Sequence, residues 1–184
     1  VVLNSDLTGN VVTTANNQGI LTTTGVNQTI TGNIGSSTSL DLNTLNIGSD
    51  TVLGNYSKTT INGNVFANST VLKNNGTTNS SELILASGKN ITSTITTADA
   101  NMGILTLAGG IQTVTGQVGA SGASLKEINA GNGTSTFVND VYATNLDVEG
   151  TGTVNLDGKF TGTAVRYNAD GTVILADTKN IDSS

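Results

Sequence analysis

A long internal repeat constrains this chain more than any other feature. Residues 18–35 (QGILTTTGVNQTITGNIG) return 84 positions later as residues 102–119 (MGILTLAGGIQTVTGQVG). Shorter matches occur at other offsets, between 65–67 and 141–143 and between 84–91 and 174–181. A repeat that keeps short apolar-alternating runs but tolerates changes in loop length is typical of stacked coils. We therefore expect an array of similar units.

Composition limits what those units can be. The chain has 32 Thr, 24 Asn and 23 Gly among 184 residues, and it has no Pro, Cys, His or Trp. The branched β-carbon of Thr favours strands, whereas Asn and Gly tolerate the positive φ angles of sharp corners. The best helical window, 120–129, is short and rich in Gly. The sequence thus predicts an all-β fold with no substantial helix.

Short runs in which every second residue is apolar mark the expected strands. They lie at 11–14, 20–23, 28–31, 40–47, 70–73, 82–86, 90–96, 103–108, 112–115, 153–156 and 172–176. Between them, Asn-Gly or Asp-Gly dipeptides stand at 62–63, 75–76, 132–133, 157–158 and 170–171.

Two architectures fit strands separated by such dipeptides. The dipeptides are either hairpin turns in two antiparallel sandwich domains of roughly 85 residues, or corners of a parallel solenoid with coils of roughly 20 residues. The absence of Trp and Pro, and offsets that drift from 84 to 76 to 90, favour the solenoid. We predict a parallel β-helix (β-solenoid) of roughly eight or nine coils, with about four coils in each 84-residue repeat.

We expect residues 1–184 to be a single β-solenoid segment. It contains about two repeat copies, approximately 1–83 and 84–172, and 173–184 begins the next phase. The chain begins and ends in mid-pattern, so we expect it to be an excerpt from a longer protein.

No enzymatic or metal site is expected. The absence of His and Cys removes the usual catalytic triads and most transition-metal ligands. Asp147 and Glu149, with Asp140 nearby, are the best carboxylate pair for a glycosidase, yet no aromatic platform for a sugar accompanies them. The simpler interpretation of these three residues is a solvated acidic face. Asp170 with Gly171 is a separate signal and indicates a turn. We assign no catalytic, cofactor-binding or metal-binding residue.

Charge and hydropathy limit the partners. The net charge is −6 and the seven basic residues are scattered, whereas nucleic-acid binding needs a basic stripe. No apolar stretch is long enough to span a bilayer, so we expect no membrane insertion by this segment. Thr-x-Thr pairs such as Thr22/Thr24 suggest an ice-binding hydroxyl array, but their irregular spacing is better explained by strand propensity.

The repeat resembles a known family. The segments that carry the likeness are 105–119, 125–131, 152–158 and 168–173. They are similar to passenger repeats of the rickettsial surface cell antigen autotransporters, of the outer membrane protein B type. The likeness extends over essentially the whole chain and is clearer in the second copy. It implies a passenger displayed on a Gram-negative cell surface, with roles in host-cell adhesion and invasion and in an abundant surface coat.

We therefore expect a non-enzymatic bacterial surface protein segment, located on the extracellular side of the outer membrane or secreted. Its expected partners are a host-cell surface protein or glycan, or neighbouring copies of itself. Loops at 74–81 and 119–124 are candidate contact regions. Two alternatives remain: a structural spacer or filament subunit, and a polysaccharide-processing β-helix enzyme that uses Asp147 and Glu149.

Overall fold

Strands account for about half of the described residues. The structure, a computed structural model, describes residues 1–51, 54–74 and 78–183. Within these ranges there are 18 strands and no helix. In chain order they are β1 Val2–Leu3, β2 Gln18–Thr23, β3 Asn27–Ile30, β4 Leu42–Ile47, β5 Lys58–Ile61, β6 Val65–Leu72, β7 Glu82–Leu85, β8 Ile91–Thr97, β9 Met102–Leu107, β10 Gly110–Val114, β11 Leu125–Ala130, β12 Gly133–Phe137, β13 Val141–Val148, β14 Thr153–Leu156, β15 Phe160–Gly162, β16 Ala164–Tyr167, β17 Thr172–Leu175 and β18 Ile181–Ser183.

The strands form two parallel sheets that wind through about eight coils. The first sheet has the order β1-β2-β4-β6-β8-β10-β12-β14-β17. The second has the order β3-β5-β7-β9-β11-β13-β15-β18, and β16 also pairs with β13. Each strand pairs with one roughly a coil away in sequence, in parallel register. This confirms the predicted β-solenoid and rules out the two antiparallel sandwiches.

Three in-register stacks of residues run through the core, and their last members, Leu175, Ile181 and Tyr167, are exposed. Stack one contains Ile34, Val65, Ile91, Val114, Phe137, Leu156 and Leu175. Stack two contains Leu21, Leu45, Thr70, Ile95, Val118, Val141, Phe160 and Ile181. Stack three contains Leu7, Ile30, Ile61, Leu85, Leu107, Ala130, Val148 and Tyr167. The core is thin and continuous, and it is built mainly from Leu, Ile and Val.

The two copies of the repeat lie on different sheets. The copy at 18–23 forms β2 of the first sheet, whereas the copy at 102–107 forms β9 of the second. Leu21 and Ile95 lie three coils apart in stack two. Leu105 follows Ile95 along the chain and lies on β9, the strand that ends at Leu107 of stack three. The repeat therefore spans between three and four coils, slightly fewer than the four expected, and a whole number of coils does not separate its copies.

Side chains also tie successive coils together. Asn10, Asn33, Asn64 and Asn90 form a ladder in which each Oδ1 accepts a hydrogen bond of 2.8 Å from a backbone N–H one coil later, the last from Thr113. These Asn side chains thus satisfy backbone donors of the following coil, although none of the four belongs to the dipeptides expected to form corners.

Candidate functional site

The longer loops between stack two and stack three lie along one edge of the solenoid. In the described part of the chain, these loops comprise residues 48–51 with 54–57, 73–74 with 78–81, 98–101, and 119–124. We call this surface the loop edge. It stops at the next coil, where β13 runs from stack two to stack three without interruption. Because loops tolerate sequence change more readily than paired strands, a row of them is the natural place for recognition.

Backbone hydrogen bonds place the first residues of the first three loops in register, each loop one coil after the last. Gly48 N–H donates to Thr23 O at 2.9 Å, and Lys73 N–H donates to Ile47 O at 2.8 Å. Ala98 N–H donates to Leu72 O of the preceding coil at 3.0 Å. These loops therefore leave the sheet one above another.

Buried hydroxyl groups anchor these loops from beneath. Thr59 Oγ1 lies 2.8 Å from Thr23 Oγ1 and 3.0 Å from Ser57 Oγ. Ser81 Oγ accepts from Ser57 N–H at 3.0 Å and donates to Lys73 O at 2.6 Å. These contacts connect three coils, and they satisfy polar groups that would otherwise be costly to enclose.

Both loops expected from the sequence lie on the loop edge. Of the segment 74–81, residues 75–77 fall outside the described ranges, as does the Asn-Gly corner expected at 75–76. In the described part, Asn74 Oδ1 accepts from Ser81 N–H at 2.7 Å. The segment 119–124 contains a tight turn in which Ala120 and Ala123 exchange two backbone hydrogen bonds, of 3.1 and 2.9 Å.

A groove of about 350 Å³ lies beside the first of these loops. We call it the loop groove, and its lining includes Val2, Thr22, Thr24, Asn46, Ser49, Asp50, Thr51 and Lys73. Lys73 Nζ lies 2.7 Å from Asp50 Oδ2, and this hydrogen bond lowers the pKa of the Asp50 carboxyl below its ordinary value. The groove thus presents hydroxyls, an amide and one ion pair on a partly apolar floor.

The candidate carboxylates do not form the solvated acidic face expected from the sequence, because Asp147 is buried. Asp147 is only 3% exposed, and Arg166 from the next coil forms a bidentate ion pair with it. This hydrogen bonding raises the pKa of the Arg166 guanidinium, which also donates to Glu127 at 3.0 Å. Glu149 accepts from Asn168 Nδ2 at 2.8 Å. Asp147 therefore joins two coils through its ion pair rather than standing open to a substrate.

The other candidates are also accounted for by the fold. Asp140 Oδ1 accepts from Lys159 N–H at 2.9 Å, and Gly171 packs against the backbone of an earlier corner. The Thr pairs divide between sheets: Thr134 stacks on Thr153 in the first sheet, whereas Thr29 belongs to the second. Among the described residues, no group of three or more acidic side chains is placed to hold a metal ion.

Two buried glutamines were not recognised from the sequence. Gln28 and Gln112 occupy equivalent repeat positions and are 3% and 0% exposed. Each accepts a 2.7 Å hydrogen bond from the N–H of a glycine three residues earlier, Gly25 or Gly109. Their retention in both copies, at an inward position of an alternating run, was the signal available in the sequence.

No protein-family model, curated protein or solved structure matches this chain. In the part of the chain that the structure describes, no helix has the length and apolar character needed to cross a membrane.

Proposed function

We propose that this chain is a rod-like segment of a bacterial surface passenger that uses its loop edge to adhere to host cells and contributes to a surface coat. The observation that carries the proposal is the alignment of four loops along one edge of a regular solenoid. Repeated display of loops allows several weak contacts to act together on one target surface. The sequence resemblance to rickettsial passengers supports the same role. The proposed location is the extracellular side of the outer membrane, or the medium after secretion.

The loop edge suits a contact surface because it is polar and low in charge. Ala100 and Ser121 are exposed near the tips of the third and fourth loops. The loops are held by hydroxyl and backbone contacts to the coils beneath them. A surface fixed in this way loses little conformational entropy when it binds.

The test measures binding of chain-coated beads to cultured host cells. Ser121→Arg and Ala100→Arg place bulky charges on the loop edge, and we expect them to reduce bead binding. Thr151→Arg and Val138→Arg introduce the same side chain at exposed positions on the other two corners, and they should bind like the parent. Equal binding by all four variants would refute the assignment of adhesion to the loop edge.

A second candidate is a spacer or filament subunit formed by neighbouring copies. Sedimentation velocity over a range of concentrations tests it, because end-to-end assembly would increase the sedimentation coefficient with concentration. A constant monomer coefficient would refute it. The polysaccharide-processing alternative gains no support from Asp147, whose carboxylate is engaged by Arg166.

A further inference from the structure

We propose that the loop groove is a binding subsite for a neutral saccharide, which would be one element of the host-cell glycan that the loop edge contacts. This proposal rests on the proposed adhesive function and adds to it a ligand class and a location. Three features of the groove support it: its charge, its hydroxyl groups and one enclosed amide oxygen without a hydrogen-bond partner.

The charge of the groove favours a neutral ligand. Lys73 and Asp50 are its charged side chains, and they pair with each other at 2.7 Å. An anionic ligand would have to compete with Asp50 for Lys73, because the groove has no excess positive charge. The paired groups can still donate to and accept from the hydroxyls of an uncharged ligand.

The remaining lining matches the two-sided chemistry of a sugar ring. Thr22, Thr24 and Ser49 bring hydroxyls to the lining. Thr24 Oγ1 already donates to Leu3 O at 3.1 Å and Ser49 Oγ pairs with Thr51 Oγ1 at 2.9 Å, so the lone pairs that remain on these oxygens can accept from a ligand. Val2 adds an apolar patch at the same groove, beside the methyl groups of the threonines. A pyranose likewise presents hydroxyls at its rim and C–H groups on its faces. The volume of about 350 Å³ lies at the small end of the range for ligand pockets.

The Asn46 amide distinguishes this groove from similar surfaces of the solenoid. Its Nδ2 donates to Thr22 Oγ1 at 3.2 Å, but its Oδ1 is enclosed and has no hydrogen-bond partner among the described residues. Asn46 is 8% exposed. A buried carbonyl oxygen without a donor is costly, so a ligand hydroxyl that reaches it gains more than one that replaces water.

A matched Asn–Thr pair shows what is special about Asn46. On the second sheet, Asn129 Nδ2 also donates to a threonine of the preceding coil, Thr106, at 3.2 Å. Asn129 is half-buried, and its Oδ1 is not among the enclosed atoms without a partner. Asn46 lines the groove and is the more enclosed of the two amides, so its Oδ1 is the atom that a ligand hydroxyl would satisfy.

The experiment titrates the ¹⁵N-labelled full chain with the methyl glycosides of glucose, galactose, mannose and N-acetylglucosamine. We expect roughly millimolar binding of at least one glycoside, with amide shifts concentrated at Thr22, Asn46 and 49–51. Asn46→Leu should weaken that binding about tenfold, whereas Asn129→Leu should leave it unchanged. Binding of no glycoside, or equal binding by both variants, would overturn the proposal.

Lys73→Met provides a second variant in case Asn46→Leu perturbs the fold. It removes the groove ion pair and should also weaken glycoside binding. Lys58→Met, which breaks the 2.9 Å ion pair with Glu82 on the second sheet, is its matched control. If groove variants reduce bead binding to cells but no glycoside binds, the groove recognises a protein, and the saccharide proposal fails while adhesion stands. If parent beads bind no cells but a glycoside binds at the groove, adhesion fails and the subsite stands.

Discussion

The buried glutamine of the second repeat copy offers a sharp test of the corner geometry. Gln112 Oε1 accepts from Gly109 N–H, and its Nε2 donates to Ala86 O and Lys89 O at 3.0 and 3.2 Å and to Leu85 O at 3.3 Å. One side chain therefore links its own corner to the corner of the preceding coil. Gln112→Leu preserves much of the side-chain volume but removes all of these hydrogen bonds.

The expected loss follows from counting the groups left without a partner. Leu85 O still accepts from Ala108 N–H, and Ala86 O still accepts from Lys89 N–H. The substitution therefore deprives chiefly Gly109 N–H and Lys89 O, and Gly109 is buried. At about 1–3 kcal/mol for each enclosed polar group, with Lys89 O partly open to solvent, we expect a loss of about 3 kcal/mol.

The equivalent residue in the first copy is a matched comparison. Gln28 Oε1 accepts from Gly25 N–H at 2.7 Å, and its Nε2 donates to Ser5 O at 2.8 Å. Gly25 is half-buried and Ser5 is exposed, so water can replace both lost contacts. We expect Gln28→Leu to cost about 1 kcal/mol.

Urea denaturation followed by circular dichroism measures these differences, provided that the denaturant dependence of each variant matches the parent. Gln117→Leu, at a half-buried position with one hydrogen bond to Gly119 O, is a control with little expected change. If Gln112→Leu is as stable as the parent, or if Gln28→Leu costs more, the reasoning from enclosed corner groups is wrong.

Three further predictions concern corners and charge. Gly119→Ala should lower the free energy of unfolding by more than about 2 kcal/mol, because φ is +67° and the new Cβ would lie 2.2 Å from Tyr142 O. Gly122→Ala, at φ +78° in open space, should lower it by about 1 kcal/mol. Thermal denaturation compares the two variants, and equal losses would contradict the close approach at Gly119. Thr178→Gly should stabilise the chain by about 1 kcal/mol in the same assay, because Thr178 has φ +68° and glycine removes the steric cost; a lower midpoint would contradict this. The thermal midpoint should be nearly constant between about pH 5 and 9, since the chain has no His. The lowered pKa of Asp50 contributes to stability above the ordinary value of 3.8, and this contribution is lost as pH falls through the folded-state pKa. The raised pKa of Lys159 beside Asp182 contributes to stability below the ordinary value of 10.5, and this contribution is lost as pH rises through the folded-state pKa. A sharp change in midpoint near pH 7 would contradict the third prediction.

Local strand and corner signals in this sequence are strong enough to predict the fold class. Alternating runs such as 82–86 and 103–108 became β7 and β9 almost unchanged. The run at 11–14 was wrong, because only Val11 forms a bridge there. The strand β13 was not predicted, because it crosses from stack two to stack three and its apolar alternation breaks midway, at Thr144 and Asn145.

The placement of the repeat copies was beyond local reasoning. The two copies share backbone geometry, with φ of +80° at Gly19 and +79° at Gly103, although they belong to different sheets. Their face depends on the summed lengths of all intervening loops, including the insertion at 48–57. Matching local sequence therefore specifies the same strand-and-corner conformation, but it does not specify which side of the solenoid that conformation occupies.

The candidate surface was predicted only in part. Loop length in the sequence pointed to 74–81 and 119–124, whereas the alignment of these loops with 48–57 and 98–101 required the coil register. The ion pair between Asp147 and Arg166 likewise depends on stacking residues 19 positions apart. Pairing across coils is a long-range property that the spacing of acidic residues within one strand does not contain.

Interstrand nuclear Overhauser effects in solution test the central claim most directly, because they report which strands are neighbours. The account predicts contacts from Leu105 to Leu83 and to Ile128, its partners in the preceding and following coils. It also predicts that Leu21 contacts Leu45 on the other sheet, although Leu21 and Leu105 are equivalent in the repeat. Antiparallel contacts between residues 102–107 and 110–114, as in a hairpin, would contradict the solenoid and every inference drawn from its loop edge.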